Sequence, residues 1–319
     1  VRPEIIVLGE LLIDFIPTIN GVTLIQAEVF KKAPGGAPAN VAVGLSRLGL
    51  LSGFMGKVGD DSFGHFLAQT LVENGTDVST LRYSQEARTA LAFVSLREDG
   101  DREFMFYRLP SADMLYTMDE VDEEYIRSGR IFHFGSISLI NEPSRSATLR
   151  AIEIAQNAGL LISYDPNLRL ALWPGEEAAR QGIRLGWQYA QIIKASEEEV
   201  LFLAGEADLQ LAIRKLWHSR LRLLVVTRGK EGCIYFTHGY SGEMPGFNVQ
   251  AIDTTGAGDG FVAGLLKGIL EKSDWEQPQV LHEICRYANA VGALTTTKRG
   301  AIPALPTKAE VESFLQFQS

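Results

Sequence analysis

Short, nearly unbroken apolar runs recur along the chain and close on glycine or a small polar residue: 5–9, 52–59, 131–135, 160–165, 191–196 and 221–226. Runs this short and continuous read as strands covered on both faces, as in a parallel sheet. Helix-forming stretches lie between and after them, at 41–48, 63–74, 144–157 and 286–296, the first stopped by Gly49. This alternation predicts an α/β fold with a central, mostly parallel sheet flanked by helices. Two stretches break the rhythm. Residues 15–30 alternate loosely around Pro17 and Asn20-Gly21, a hairpin signal, and residues 88–108 alternate on either side of Asp99-Gly100. Together they predict a small sheet standing off the main body, either a lid or a subunit contact. No internal repeat, low-complexity run or Pro-rich linker divides the chain, so 1–319 reads as one domain.

Charge narrows the partners. Thirty Lys+Arg against 39 Asp+Glu give a net charge of −9, which argues against nucleic acid or an anionic membrane surface. Only two cysteines occur, Cys233 and Cys285, far apart in sequence, so no disulfide framework or cysteine-rich metal site is expected. The five histidines lack ligand spacing. Val1-Arg2-Pro3-Glu4 has no signal-peptide pattern and no apolar run is long enough to span a bilayer. A cytoplasmic, reducing compartment is expected.

Candidate chemistry concentrates in Asp253-Thr254-Thr255-Gly256-Ala257-Gly258-Asp259-Gly260, which runs into apolar residues at helical spacing, Phe261, Leu265 and Ile269. Small residues before a helix leave backbone N–H groups open to an anion. Asp259 falls in the first turn, where an acid beside an anion site suits the removal of a proton from a hydroxyl attacking phosphorus. An ordinary acidic helix start is the alternative. Gly35-Gly36-Ala37-Pro38-Ala39-Asn40 likewise opens a helix, with two glycines that let backbone approach a ligand and an Asn able to donate and accept. Asp14 follows the first strand at its carboxyl end, where ligands collect in open α/β sheets. The two common nucleotide motifs are absent: Gly56-Lys57 is followed by Val58, Gly229-Lys230 by Glu231, and Phe261 stands where a dinucleotide fingerprint needs glycine.

The segment from Asp253 to Gly264, with Gly35 to Asn40 far upstream, resembles the paired signatures of the ribokinase/PfkB family of sugar kinases. Further runs are similar to fructokinases within it: Lys32 to Gly36, Arg88 to Phe93, Glu103 to Arg108 and Tyr164 to Arg169. The resemblance extends from Gly9 to Pro306. It implies a ribokinase-like fold whose lid, segments 15–30 and 88–108, closes over the sugar, and an ATP-dependent transfer to the 6-hydroxyl of fructose. It implies Asp259 as base, with the backbone of residues 255–258, including Gly256, Ala257 and Gly258, as the anion hole. Asp14, Gly35, Gly36, Asn40, Arg108, Asn141 and Arg169 are the implied sugar contacts. Lys194, Ser196, Thr227, Gly229, Gly232, Gly258 and Asn289 would border the nucleotide. Relatives carry Asn-x-x-Glu where this chain has Ser196-x-x-Glu199, so Glu199 is expected to organise Mg²⁺ through water while the part of Ser196 stays open. Main-chain carbonyls at Asp253, Thr255, Thr295, Lys298, Gly300 and Ala304 would hold a monovalent cation such as K⁺, and a homodimer is expected. Other PfkB-type substrates, namely 2-keto-3-deoxygluconate, ribose or a nucleoside, remain open, as do a catalytically dead regulator and a sugar-binding module.

Overall fold

The computed structural model describes residues 2–19, 21–96 and 102–317. The Asp99-Gly100 turn and Asn20 lie outside them. In chain order the first elements are β1 (Ile5–Leu8), β2 (Leu12–Pro17), β3 (Phe30–Gly35), α1 (Ala37–Arg47), β4 (Ser52–Gly59), α2 (Ser62–Glu73) and β5 (Leu81–Ser84). Next come β6 (Leu91–Leu96), β7 (Arg102–Tyr107), α3 (Glu123–Arg127), β8 (Ile131–Gly135), α4 (Ser144–Asn157), β9 (Leu161–Asp165) and α5 (Glu176–Trp187). The chain continues through β10 (Ile192–Ser196), α6 (Glu197–Ala204), α7 (Leu209–Leu216), β11 (Leu223–Thr227), β12 (Cys233–Phe236) and β13 (Ser241–Met244). It ends with α8 (Ala257–Glu271), α9 (Pro278–Thr295) and α10 (Lys308–Gln316).

Nine strands form the main sheet in the order β13-β12-β11-β10-β9-β8-β1-β4-β5. The pairs from β11 through β5 are parallel, and β12 and β13 add an antiparallel edge. Strand periodicity sorts the core into two layers. Ile5, Val7, Leu223 and Val225 pack on one face with Val262, Leu266 and Val291 from α8 and α9. Ile6, Leu8, Leu224 and Val226 pack on the other with Ile152, Ile183 and Leu203 from α4, α5 and α6. Helix α9 begins at Pro278, well before residue 286, because Pro suits a first helical turn whose N–H is unpaired anyway. Cys233 and Cys285 are free, buried in the same layer and hydrogen-bonded to each other, which with burial pushes the Cys285 thiol well up.

A four-stranded sheet, β3-β2-β6-β7, stands apart from the nine. Its register puts Asp14 beside Ala92 and Ala33, and Ala92 beside Phe106, on one face. Phe15 and Phe93 stack on the opposite face, with their ring centroids 5.0 Å apart, and Phe63 of α2 meets Phe15 edge-on. Residues 18–29 connect β2 to β3, and pairing resumes only at Phe30, so the small sheet reaches Gly35 and not residue 30. Within that connection Thr23 turns locally onto the side chain of Gln26.

Candidate active site

The carboxyl ends of β1, β8, β9 and β10 lie along one edge of the main sheet, the edge where open α/β sheets bind ligands. Helix α8 begins there. Gly256 precedes it with φ 78°, and a Cβ at that position would lie 2.9 Å from Ala301 Cα, so only glycine makes this bend. No side chain caps the helix. The amides are not all open, however. Asp253 Oδ1 accepts from the Thr255 N–H at 2.9 Å, and the Thr254 carbonyl accepts from Ala257 at 3.3 Å. The N–H groups of Gly256, Gly258 and Asp259 have no partner among the described residues. Of the amides expected to form an anion hole over 255–258, those of Gly256 and Gly258 are open among the described residues, while an Asx-type turn at Asp253 engages Thr255 and the Thr254 carbonyl engages Ala257.

Asp259 sits in the first turn of α8, 7% exposed, and accepts a 2.7 Å hydrogen bond from Asn40 Nδ2. Burial pushes its pKa up from the ordinary 3.8 to about 6. The Asn40 bond opposes that rise, Asp165 adds to it, and Lys194 and Arg169 pull it down. Asn40 arrives from the start of α1, whose preceding residue Gly36 has φ 107° and lies so close to the Glu10 carbonyl that a Cβ would stand 2.4 Å from it. Asn40 Oδ1 is buried without a hydrogen-bond partner, an acceptor waiting for a donor.

A cavity of about 400 Å³ separates the small sheet from these helix starts. Leu12, Asp14, Lys31, Ala33, Val94 and Phe106 line it from the sheet, and Glu10, Asn40, Gly256, Asp259 and Arg169 from the body. That volume falls in the usual range for small-molecule sites. Gly35 backs the Asp14 carboxylate so closely that a Cβ would overlap Asp14 Oδ2. Glu10 is a lining residue that sequence reasoning passed over. Its Oε1 accepts from the Ala37 N–H at 3.0 Å, and burial raises its pKa to about 7 against the pull of that amide and of Arg108. Three expected contacts are not in the cavity wall, the first being Gly35 itself, which stands behind Asp14. Arg108 is buried in an ion pair with Asp113, which draws it away from the lining. Asn141 is exposed, and its carbonyl accepts from Ser144 Oγ and the Arg145 N–H at the start of α4; Ile137 lines the cavity from that loop.

A second depression, about 380 Å³, opens beside the first and shares Asn167 and Arg169 with it. Lys194, Ser196 and Glu199 line it. Lys194 is buried, donates to Asp165 Oδ2 at 3.1 Å, and places Nζ 3.0 Å from where a Cβ on residue 258 would lie. Asp165, with the charges of Glu199 and Asp259, holds the Lys194 ammonium above its usual range against burial. Ser196 and Glu199 form a reciprocal cap on α6. Ser196 Oγ accepts from the Glu199 N–H, and the Glu199 carboxylate accepts from Ser196 N–H at 2.8 Å and Leu168 N–H at 2.6 Å. The departure from Asn-x-x-Glu is thus a capping box whose signature was present in the sequence.

Thr227 ends β11 directly beside Ser196, and its hydroxyl donates to the Ala195 carbonyl. Gly229 and Gly232 follow with φ 56° and 96°. Asn289 turns its amide onto the Met244 and Pro245 carbonyls at 3.2 and 3.1 Å, pinning the segment after β13. None of these four lines either depression. Beyond α9, Asp253 Oδ2 accepts from the Gly300 N–H at 2.9 Å while Oδ1 holds Thr255, so one carboxylate ties the two loops together. Thr295 is buried with its hydroxyl on the Val291 carbonyl, Lys298 pairs with Glu310 at the surface, and Ala304 is buried. Among the described residues no group of three or more His, Cys, Asp or Glu could hold a metal ion. No helix among them is long and apolar enough to cross a membrane.

A parallel sheet with a glycine-lined helix start and a buried acid at its ligand edge, under a separate small sheet, defines a sugar kinase of ribokinase-like fold. Residues 2–308 match the model of the pfkB family carbohydrate kinases, and the chain belongs to that family. Within it, the likeness runs to fructokinases. "Probable fructokinase-4" of Arabidopsis thaliana is 55% identical over 315 residues, covering 98% of this chain and 96% of that protein. A crystal structure of a fructokinase with bound ATP from Xylella fastidiosa superposes with a TM-score of 0.91 at 37% identity, covering 98% of both chains. The fructokinase from Vibrio cholerae, in its fructose-, ADP- and calcium-bound form, gives a TM-score of 0.89 at 36% identity, again over 98% of both chains.

Proposed function

We propose that this chain is a fructokinase, moving the γ-phosphoryl group of ATP to the 6-hydroxyl of D-fructose. The observation that carries this reading is the contact between Asp259 and Asn40, buried at the wall of a sugar-sized cavity beside the open amides of Gly256 and Gly258. Fructose occupies the cavity with hydroxyls on Asp14 and on the unpaired Oδ1 of Asn40. Asp259, ionised at neutral pH but basic for an aspartate, takes the proton as the P–O bond forms. The Gly256 and Gly258 amides stabilise the charge growing on the transferring group, each such donor contributing about 3–4 kcal/mol. Lys194 and Arg169 hold the nucleotide phosphates in the adjoining depression. Burial of the hydroxyl under the small sheet keeps water from competing for the phosphoryl group.

The residues fit a Mg²⁺ ion that would be held mainly through phosphate and water, since Glu198 and Glu199 both line that groove and the Glu199 carboxylate is itself held by two amides. The ion would neutralise phosphate charge. Asp253 draws the 253–255 and 300 loops together, an arrangement suited to a monovalent cation on main-chain carbonyls, K⁺ above all. A cytoplasmic homodimer is part of this reading, supported by Met105 and Tyr107, exposed on the outer face of the small sheet. An acid sugar is the weaker reading, because Arg108, one of the two cations it would need, is committed to Asp113.

The test is a panel of sugars with ATP–Mg²⁺, following ADP release and locating phosphate on the product. Fructose is expected to give the highest kcat/KM, with phosphate on the 6-oxygen. A different phosphorylated position, or a tenfold preference for another sugar, overturns the assignment.

A further inference from the structure

We infer that Asp165 is a positioning residue for the phosphoryl transfer, setting the Lys194 ammonium against the amide bend that opens α8. The inference rests on the kinase reading above. Asp165 ends β9 and is 2% exposed. Its two oxygens do separate things. Oδ2 accepts from Lys194 Nζ at 3.1 Å, and Oδ1 accepts from the Asn167 N–H at 3.1 Å. The second bond closes a turn in which Asn167 takes φ 44°, a left-handed conformation that side chains other than Asn and Asp seldom adopt. That turn delivers Arg169 to the boundary of the two depressions. One buried carboxylate therefore fixes both cations of the phosphate groove.

Lys194 has three donors, and Asp165 is its only hydrogen-bond partner among the described residues. Its Nζ stands beside Gly258, whose N–H has no partner among the described residues, so the ammonium and an open amide are neighbours. A buried ion pair seldom stabilises a fold better than an apolar pair of the same size. This one makes physical sense as a device that holds an ammonium at fixed coordinates without letting it pair with Asp259, whose carboxyl Lys194 already pulls down while Asp165 pushes it up.

The test compares wild type, Asp165→Asn, Lys194→Met and the double variant, with fructose and ATP–Mg²⁺ varied separately and melting temperature measured on each. Asp165→Asn keeps an oxygen for the Asn167 N–H but loses the charge. Misplacement of a reacting group by about 1 Å costs on the order of a hundredfold, so kcat/KM for ATP is expected to fall about that far. KM for fructose should change by less than about threefold. If Asp165 acts through Lys194, the double variant is no slower than Lys194→Met alone. The inference is overturned if folded Asp165→Asn keeps kcat/KM for ATP within about threefold of wild type, or if the two losses multiply. Should Asp165→Asn not fold, the double variant, which leaves no unpaired charge, still decides the matter against Lys194→Met. Wild type that releases no ADP with fructose would instead remove the kinase reading itself.

Discussion

Replacing Asp259 by Asn should make the protein more stable and nearly inactive, with the gain in stability largest at neutral and alkaline pH. The carboxyl is buried, and its pKa is raised from 3.8 to about 6. At about 1.36 kcal/mol per pH unit, ionising it in the folded state costs about 3 kcal/mol. The sign follows from proton binding. Between about pH 4 and 6 the folded protein holds this proton more tightly than the unfolded chain, so the group's contribution to stability falls as pH rises and is fully unfavourable above about pH 6. Asn carries no such penalty and can still accept from Asn40 Nδ2. Urea unfolding should therefore give a stabilisation of about 3 kcal/mol near pH 8 and only about 1 kcal/mol near pH 4.5. At about 2.1 cal/mol/K per residue, 319 residues convert the larger value into a melting shift of about 4 °C. Turnover should drop by about 10²–10⁴, the span of general-base catalysis. Equal gains at both pH values, no gain at all, or more than about a tenth of the normal kcat would refute the reasoning.

Three further outcomes are expected. Asn40→Ala removes a hydrogen bond that lowers the Asp259 pKa, so the acid limb of the kcat/KM–pH profile for fructose should move up by about one unit. An unmoved limb would detach Asn40 from the base. Arg108→Ala leaves Asp113 buried and unpaired; denaturant melts should show a loss of about 3–5 kcal/mol, while KM for fructose at a permissive temperature stays within about threefold. A large rise in KM without loss of stability would return Arg108 to the substrate. Asp253→Ala frees the Thr255 and Gly300 donors, so stability should fall by about 1–3 kcal/mol and activity in K⁺ should drop to the level in Na⁺. A retained difference between the two salts would separate this carboxylate from the cation loop.

The main sheet was legible because its strands carry uninterrupted apolar residues on both faces, and only buried parallel strands ask for that pattern. The start of α8 was legible for a related reason: small residues, then an acid, then apolar residues at helical spacing leave few other structures. What sequence concealed depends on distance. Glu10, Arg108 and Asp113 become a buried charged group only when β7 folds back over the end of β1, and no local pattern marks a residue as destined for burial. The family resemblance implies Asn141 as a sugar contact, yet a 3₁₀ turn at Ile137–Leu139 intervenes and carries it to the surface. Asp165 was in plain view within Tyr164 to Arg169, but its partner Lys194 belongs to the neighbouring strand. Ser196-x-x-Glu199 carries the helix-cap signature in the sequence itself, a serine followed three residues later by a glutamate.

Gly36 alone separates β3 from α1. An extra residue at that joint would rotate everything beyond it by about 100° around the helix axis. Asn40 would then swing off the face that meets Asp259, so the joint cannot change length. Residues 18–29, at the far end of β3, bear no such constraint, and Ile25 there is almost entirely in solvent. Length differences among enzymes built this way should gather at 18–29 and be missing at 36, and an engineered peptide tag or fluorescent reporter belongs in the former.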